Sequence, residues 1–169
     1  LYDAQIPAII AEIFESIKIG DFIIRINNRK VLTGFFASVG VAAENIVSCI
    51  RIVDTAEKVG EVKVKKALKE IGLSEAQVDK VWDFTNIKGS VDDVLYKLKS
   101  MTETCDNSDV LSQGISELET VIYGVRNLGV SEQRFCIDLS IARGLDYYTG
   151  TVYETTLICL LYTSPSPRD

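Results

Sequence analysis

The residues best equipped for chemistry lie together in the run Arg143-Gly-Leu-Asp-Tyr-Tyr-Thr-Gly-Thr-Val-Tyr-Glu154. An arginine stays protonated at every physiological pH, and its forked donors match the oxygens of a carboxylate or a phosphate. Arg143 falls where a strand-like pattern breaks and Gly144 follows, so a guanidinium at a strand end would have a small neighbour leaving room for a ligand. Tyr147 and Tyr148 add phenol groups that can donate and accept. Strand alternation sends these two side chains to opposite faces, so only one can line a given cleft unless the strand bulges. Taken alone, the same residues favour an ordinary reading: Arg143 pairs with Asp138 or Asp146 at the surface, and the tyrosines are half-buried cross-strand partners.

Other chemistries are excluded or disfavoured. The 169-residue chain has no histidine, which removes imidazole-based nucleophile systems and most catalytic zinc sites. Cys49, Cys105, Cys136 and Cys159 lack C-x-x-C spacing, so they read as reduced thiols packed as small apolar residues rather than as metal ligands or a disulfide framework. A net charge of −6 argues against a broad basic surface for nucleic acid, although a local basic contact is still open. No apolar run is long enough to cross a membrane, and Leu1-Tyr-Asp3 is not a basic secretion signal. The expected location is therefore cytoplasmic.

The elements that must position the run follow from periodicity. Ile6, Ile9, Ile10, Ile13, Phe14 and Ile17 form the stripe of an amphipathic helix over about 4–19, where Pro7 is tolerable only in the first turn. Asp21–Asn27 is short and β-branched, which predicts a strand; a helix over 29–39 should follow, with Asn27 and Asn28 ending the strand and capping that helix. From 44 to 128 helical signals repeat. Ser74-Glu-Ala-Gln77 has the pattern of a capping box, Ser90 opens another helix with Asp92 and Asp93 in its first turn, and an apolar face runs from Val110 to Leu128 before Gly129. Phe135–Ile141 and Tyr147–Leu157 predict two strands joined by a turn at 143–146 and paired antiparallel with each other. The expected class is α+β, an antiparallel sheet opened to admit a helical module. The expected division is 1–43, 44–129 (helical), 130–158 and 159–169.

The ends have their own reading. Leu1 begins inside a helical pattern, so the chain looks cut from a longer one. Cys159-Leu-Leu-Tyr-Thr-Ser-Pro-Ser-Pro-Arg-Asp169 has no periodicity and carries two of the three prolines. It matches, codon for codon, the translation of a transposase mosaic-end sequencing adapter, and is expected to be an adapter-derived tail.

The run Arg143–Glu154 closely resembles the signature of the histidyl-tRNA synthetases, a class II aminoacyl-tRNA synthetase family, with a Phe-to-Tyr exchange at Tyr153. Ile24-Arg-Ile-Asn-Asn-Arg-Lys-Val-Leu32 resembles the segment that follows motif 2 in that family. Ile50-Arg-Ile-Val-Asp-Thr-Ala-Glu-Lys-Val-Gly60 and the helices after it resemble its helical insertion domain. The resemblance implies part of an antiparallel-sheet catalytic domain from a homodimeric histidine–tRNA ligase. Such an enzyme joins L-histidine to ATP, with Mg2+ accompanying the nucleotide, and transfers the histidyl group from the adenylate to tRNA(His). It implies that Arg143 is the catalytic arginine and a histidine-binding residue. Tyr147 and Tyr148 would line the histidine pocket, with Tyr148 the better donor to the imidazole. Gly144 and Gly150 would allow close backbone approach or a bulge.

Motifs 1, 2 and 3 and the anticodon-binding domain have no counterpart here, so the 169 residues alone are expected to be inactive. The main alternative is a non-catalytic relative, such as the regulatory subunit of ATP phosphoribosyltransferase in histidine biosynthesis or a synthetase-like sensor domain of a kinase. The presence of Arg143, Asp146 and a helical insertion favours the enzyme. An unrelated helical binding module at 44–128 would explain neither end segment.

Overall fold

The structure, a computed structural model, describes residues 2–102, 109–142, 144 and 149–158. Its order is α1 (Tyr2–Ser16), β1 (Phe22–Asn28), α2 (Arg29–Ser38), α3 (Ala43–Asp54), α4 (Ala56–Val59), α5 (Glu61–Glu70), α6 (Glu75–Thr85), α7 (Val91–Thr102), α8 (Asp109–Asn127), β2 (Phe135–Ile137) and β3 (Thr151–Leu157).

The α+β class holds, but the sheet differs from the expected hairpin. Its order is β2-β1-β3. β1 pairs in parallel with β2, Ile24 opposite Phe135 and Ile26 opposite Ile137. On its other side it pairs antiparallel with β3, from Phe22 opposite Leu157 to Asn28 opposite Thr151. The two C-terminal strands therefore do not pair directly. β1, whose Ile24 and Ile26 are fully buried, takes the central place that its apolar sequence fits. The helices between β1 and β2 supply the long crossover a parallel pair requires. The strand expected to reach Ile141 stops at Ile137 because Asp138 turns the chain. Its Oδ1 accepts from the Ser140 amide at 3.0 Å and the Ser140 hydroxyl at 2.6 Å, an Asx-type turn that competes with the ladder.

Successive β1 side chains alternate between faces. Phe22, Ile24 and Ile26 join Phe135, Ile137 and Tyr153 in the hydrophobic core shared with α1, α2 and α8, and Phe14 of α1 meets Phe22 edge-on at 5.2 Å. Arg25, Cys136 and Glu154 belong to the opposite face. The same core cluster continues through α3, α5, α6 and α7, where Phe35 of α2 stacks on Phe84 of α6 at 3.7 Å between centroids.

α1 buries a different line from its isoleucine stripe. Ala4, Pro7 and Ala11 are buried, Ile10 and Phe14 are half-buried, and Ile6, Ile9, Ile13 and Ile17 are exposed. The cause is the close approach of α8: a Cβ added to Gly124 would stand 2.5 Å from the Ala4 Cβ, so only small residues fit the crossing. Pro7 lies beyond the expected first turn, inside the helix. A proline has no N–H for the carbonyl four residues back, and that carbonyl, Asp3 O, accepts instead from the Tyr153 hydroxyl at 2.7 Å. Tyr153→Phe is therefore expected to lower stability by about 1 kcal/mol, measurable by urea unfolding; no change would mean that solvent serves Asp3 equally well.

Both capping patterns form. Ser74 and Gln77 make the full box, and Ser90 Oγ accepts from the Asp93 amide at 3.2 Å while Asp93 reaches back to the Ser90 amide. Asn28 caps α2 by accepting from the Lys30 amide at 2.9 Å. α2 and α8 pack backbone to backbone: a Cβ on Gly114 would lie 2.6 Å from the Val31 nitrogen and 2.8 Å from the Lys30 carbonyl carbon. Rotating a side chain cannot relieve that clash. Gly114→Ala should cost about 1–3 kcal/mol, read as a lower urea midpoint; an unchanged midpoint would contradict the packing described.

Candidate functional site

Arg143, Tyr147 and Tyr148 lie outside the described residues, as do Asp146, Cys105 and the 159–169 tail. What is described is the frame that holds the chain on either side of them. Before the run, Asn27 of β1 donates from Nδ2 to the Ile141 carbonyl at 2.9 Å, and the Ala142 amide donates to Asp54 Oδ1 at 2.9 Å. Asn27, Ile141 and Ala142 are all buried. After the run, the Arg29 amide donates to the Gly150 carbonyl at 2.9 Å, just before Thr151 enters register with Asn28. The end of β1 thus anchors both entry and exit, and α3 contributes a second anchor at the entry.

The glycines in the run differ. Gly144 has φ +72, a left-handed conformation that strongly favours glycine, so its small size has a backbone reason. Gly150 is absent from the positive-φ glycines, and a Cβ there would meet no described atom within 4 Å.

Beside this frame lies a charge cluster that the sequence reading missed. Arg25, 8% exposed, projects from the middle of β1. Its Nε and Nη2 donate to Asp138 Oδ2 at 2.9 and 2.7 Å. Nη1 donates to Glu57 Oε2 at 3.1 Å and Nη2 to Glu57 Oε1, with Glu154 of β3 3.9 Å away. Lys88, from the loop between α6 and α7, reaches the same Asp138 oxygen at 3.0 Å. The signal was present in the sequence: an arginine within Phe22-Ile-Ile-Arg-Ile cannot be buried without a carboxylate partner.

Burial opposes both charges, and the contacts outweigh it. Desolvation would lower the Arg25 pKa, but Glu57 and Asp138 hold it above its usual range. Desolvation would raise that of Asp138, but hydrogen bonds from Ser140, Lys88 and Arg25 bring it down from 3.8 to about 2. A depressed carboxylate contributes stability above its unfolded pKa and loses it as the pH falls. About 2 kcal/mol should therefore disappear between roughly pH 4 and pH 2. Acid titration of the unfolding free energy measures this, and Asp138→Asn should flatten the slope in that window; an unaltered slope would show that another group is responsible. Arg25 already faces three acidic side chains, Glu57, Asp138 and Glu154, so it acts as a strut joining β1, the end of β2 and α4 rather than as an anion receptor.

Among the described residues no three His, Cys, Asp or Glu side chains converge on a metal-sized site. Burial pushes the Cys49 thiol up to about 12 and also raises that of Cys136, so neither is poised as a thiolate nucleophile. Among the described residues no helix is long and apolar enough to cross a membrane. An open groove runs between α1 and α8, lined by Ala4, Gln5, Val121, Tyr123 and Gly124, but none of these residues frames the Arg143–Glu154 run.

The resemblance to known proteins is extensive. A family model described as Histidyl-tRNA synthetase matches residues 2–156. The histidine–tRNA ligase of Nostoc punctiforme is 69% identical over 158 residues, covering 94% of this chain and 34% of that protein. A crystal structure of histidyl-tRNA synthetase from Nostoc sp. PCC 7120 superposes with a TM-score of 0.91 at 64% identity, over 93% of this chain and 36% of that one. A structure named as an ATP phosphoribosyltransferase regulatory subunit/histidyl-tRNA synthetase, from Bacillus halodurans, shares the fold at TM-score 0.69 and 14% identity, over 93% of this chain and 40% of that one. The chain spans about a third of the length of the curated relatives it matches.

Proposed function

This chain belongs to the histidyl-tRNA synthetase family, and from that premise we propose that it is the part of a histidine–tRNA ligase that grips histidine and the reacting phosphate. The observation that carries the reading is the 69% identity to a histidine–tRNA ligase over 94% of the chain, with the whole run Arg143–Glu154 inside the family match. Residues 1–43 and 130–158 are assigned to the catalytic domain and 44–129 to its helical insertion. The complete ligase is a cytoplasmic homodimer whose substrates are L-histidine, ATP and tRNA(His).

In the first step a histidine carboxylate oxygen attacks the α-phosphorus, a phosphorus–oxygen bond breaks, and pyrophosphate leaves. Negative charge builds on the phosphoryl oxygens. Arg143 neutralises it and holds the carboxylate, a task suited to a permanently charged fork. Magnesium would arrive with ATP and screen its phosphates, without a cluster of carboxylates, thiols or imidazoles among the described residues to hold it. Tyr147 and Tyr148 line the histidine pocket, and Tyr148 hydrogen-bonds the imidazole; a pocket built this way rejects amino acids that would leave its polar groups unpaired. In the second step the terminal ribose hydroxyl of the tRNA attacks the histidyl carbonyl and AMP leaves. Asn27 and Asp54 before the run, with Arg29 after it, support these roles by holding the main chain at both ends.

The test is exchange of labelled pyrophosphate into ATP by the complete polypeptide. Exchange that requires histidine is expected; a folded, full-length protein without it would defeat the reading. The regulatory-subunit alternative has only the shared fold at 14% identity in its favour.

A further inference from the structure

We propose that Asp54 is a positioning residue for the Arg143 run, acting through its hydrogen bond to the Ala142 amide. The proposal rests on the ligase reading and deepens it.

Three observations converge. The Ala142 side chain and its neighbour Ile141 are buried, so the Ala142 N–H has little access to water, and Asp54 Oδ1 at 2.9 Å is its acceptor. The contact bridges 88 positions of sequence, joining the last residue of α3 to the residue before Arg143. Asp54 is also badly placed for the helix that carries it, because an acidic side chain at a helix C-terminus opposes the partial negative charge there. Its oxygen does fit the main-chain donor of Ala142, the residue that precedes Arg143 in sequence.

Arg25 makes the contact part of a broader grip. The α3–α4 corner supplies Asp54 to Ala142 and, three residues later, Glu57 to Arg25, which itself holds Asp138. The chain leaving β2 is therefore tied to this corner at 138 and again at 142. A reacting fork displaced by about 1 Å can lose on the order of a hundredfold in rate. An anchor one residue away from that fork is accordingly expected to act on turnover.

The experiment uses the complete ligase with Asp54→Ala, Asp54→Asn and Asp54→Glu, measuring kcat and KM for histidine in pyrophosphate exchange together with thermal unfolding. Asp54→Ala should lower kcat about tenfold to a hundredfold, with less change in KM and with the protein still folded at the assay temperature. Asp54→Asn keeps an acceptor oxygen in place and should recover most of the loss. Asp54→Glu keeps the charge but displaces the oxygen by one methylene, and should resemble the alanine variant. If Asp54→Ala does not fold, Asp54→Glu decides: reduced kcat supports the proposal and parental kcat overturns it. A loss that Asp54→Asn fails to recover would also overturn it. The ligase reading fails separately, and only if the unsubstituted protein shows no exchange.

Discussion

Arg143→Ala in the complete ligase is expected to reduce histidine-dependent pyrophosphate exchange by about a hundredfold to a thousandfold, the usual cost of removing a charged donor aimed at a developing oxyanion. The loss should fall chiefly on kcat, because the phosphoryl oxygens gain charge in the transition state. Arg143→Lys should recover little: a single ammonium cannot reproduce a fork that holds a carboxylate and a phosphate together. Urea unfolding should be unchanged within about 0.5 kcal/mol. An alanine variant with parental exchange would remove Arg143 from the chemistry. One that lost activity and stability together would make Arg143 a residue the fold depends on, with the loss of exchange a consequence of unfolding.

The second large effect is on the fold. Asp138→Ala removes a carboxylate that accepts from Arg25, Lys88 and Ser140 while leaving Arg25, 8% exposed, in place. Breaking one side of a buried pair typically costs about 3–5 kcal/mol. Glu57 remains to hold Arg25, which places the expectation near the lower end. Equilibrium urea unfolding measures it, and the double variant Arg25→Met/Asp138→Leu should lose less than the sum of the two single changes. A loss under about 1 kcal/mol for Asp138→Ala would show the cluster to be no more than a surface pair.

Local signals in this sequence foretold local structure. The boxes at Ser74 and Ser90 and the cap at Asn28 form because each needs only a side chain and an amide within three residues. The strand order was not legible. Phe135–Ile137 and Thr151–Leu157 carry similar β-branched patterns, and nothing in either shows that β1 inserts between them. Nor does the isoleucine stripe of α1 reveal that Gly124 and Ala4 bring α8 so close that the small residues become the buried face.

The chemistry proposed for Arg143, Tyr147 and Tyr148 rests on family likeness, since the same residues without it favour a surface ion pair and two packed phenols. The anchors were not legible: Asn27 to Ile141 and Asp54 to Ala142 span 114 and 88 positions and end on main-chain atoms, which leave no side-chain pattern to read. Asn27 was expected, with Asn28, to end the strand and cap the next helix; Asn28 makes the cap, and the Asn27 amide holds the approach to the run. Arg25 could have been found by asking what neutralises a charge inside an apolar strand.

The central claim is tested most directly by charging tRNA(His) with labelled histidine, using the complete polypeptide and ATP. The expected result is histidyl-tRNA formed with histidine and with no other amino acid, at a rate lowered at least a hundredfold by Arg143→Ala. A folded full-length protein that binds histidine yet leaves the tRNA uncharged would contradict the account.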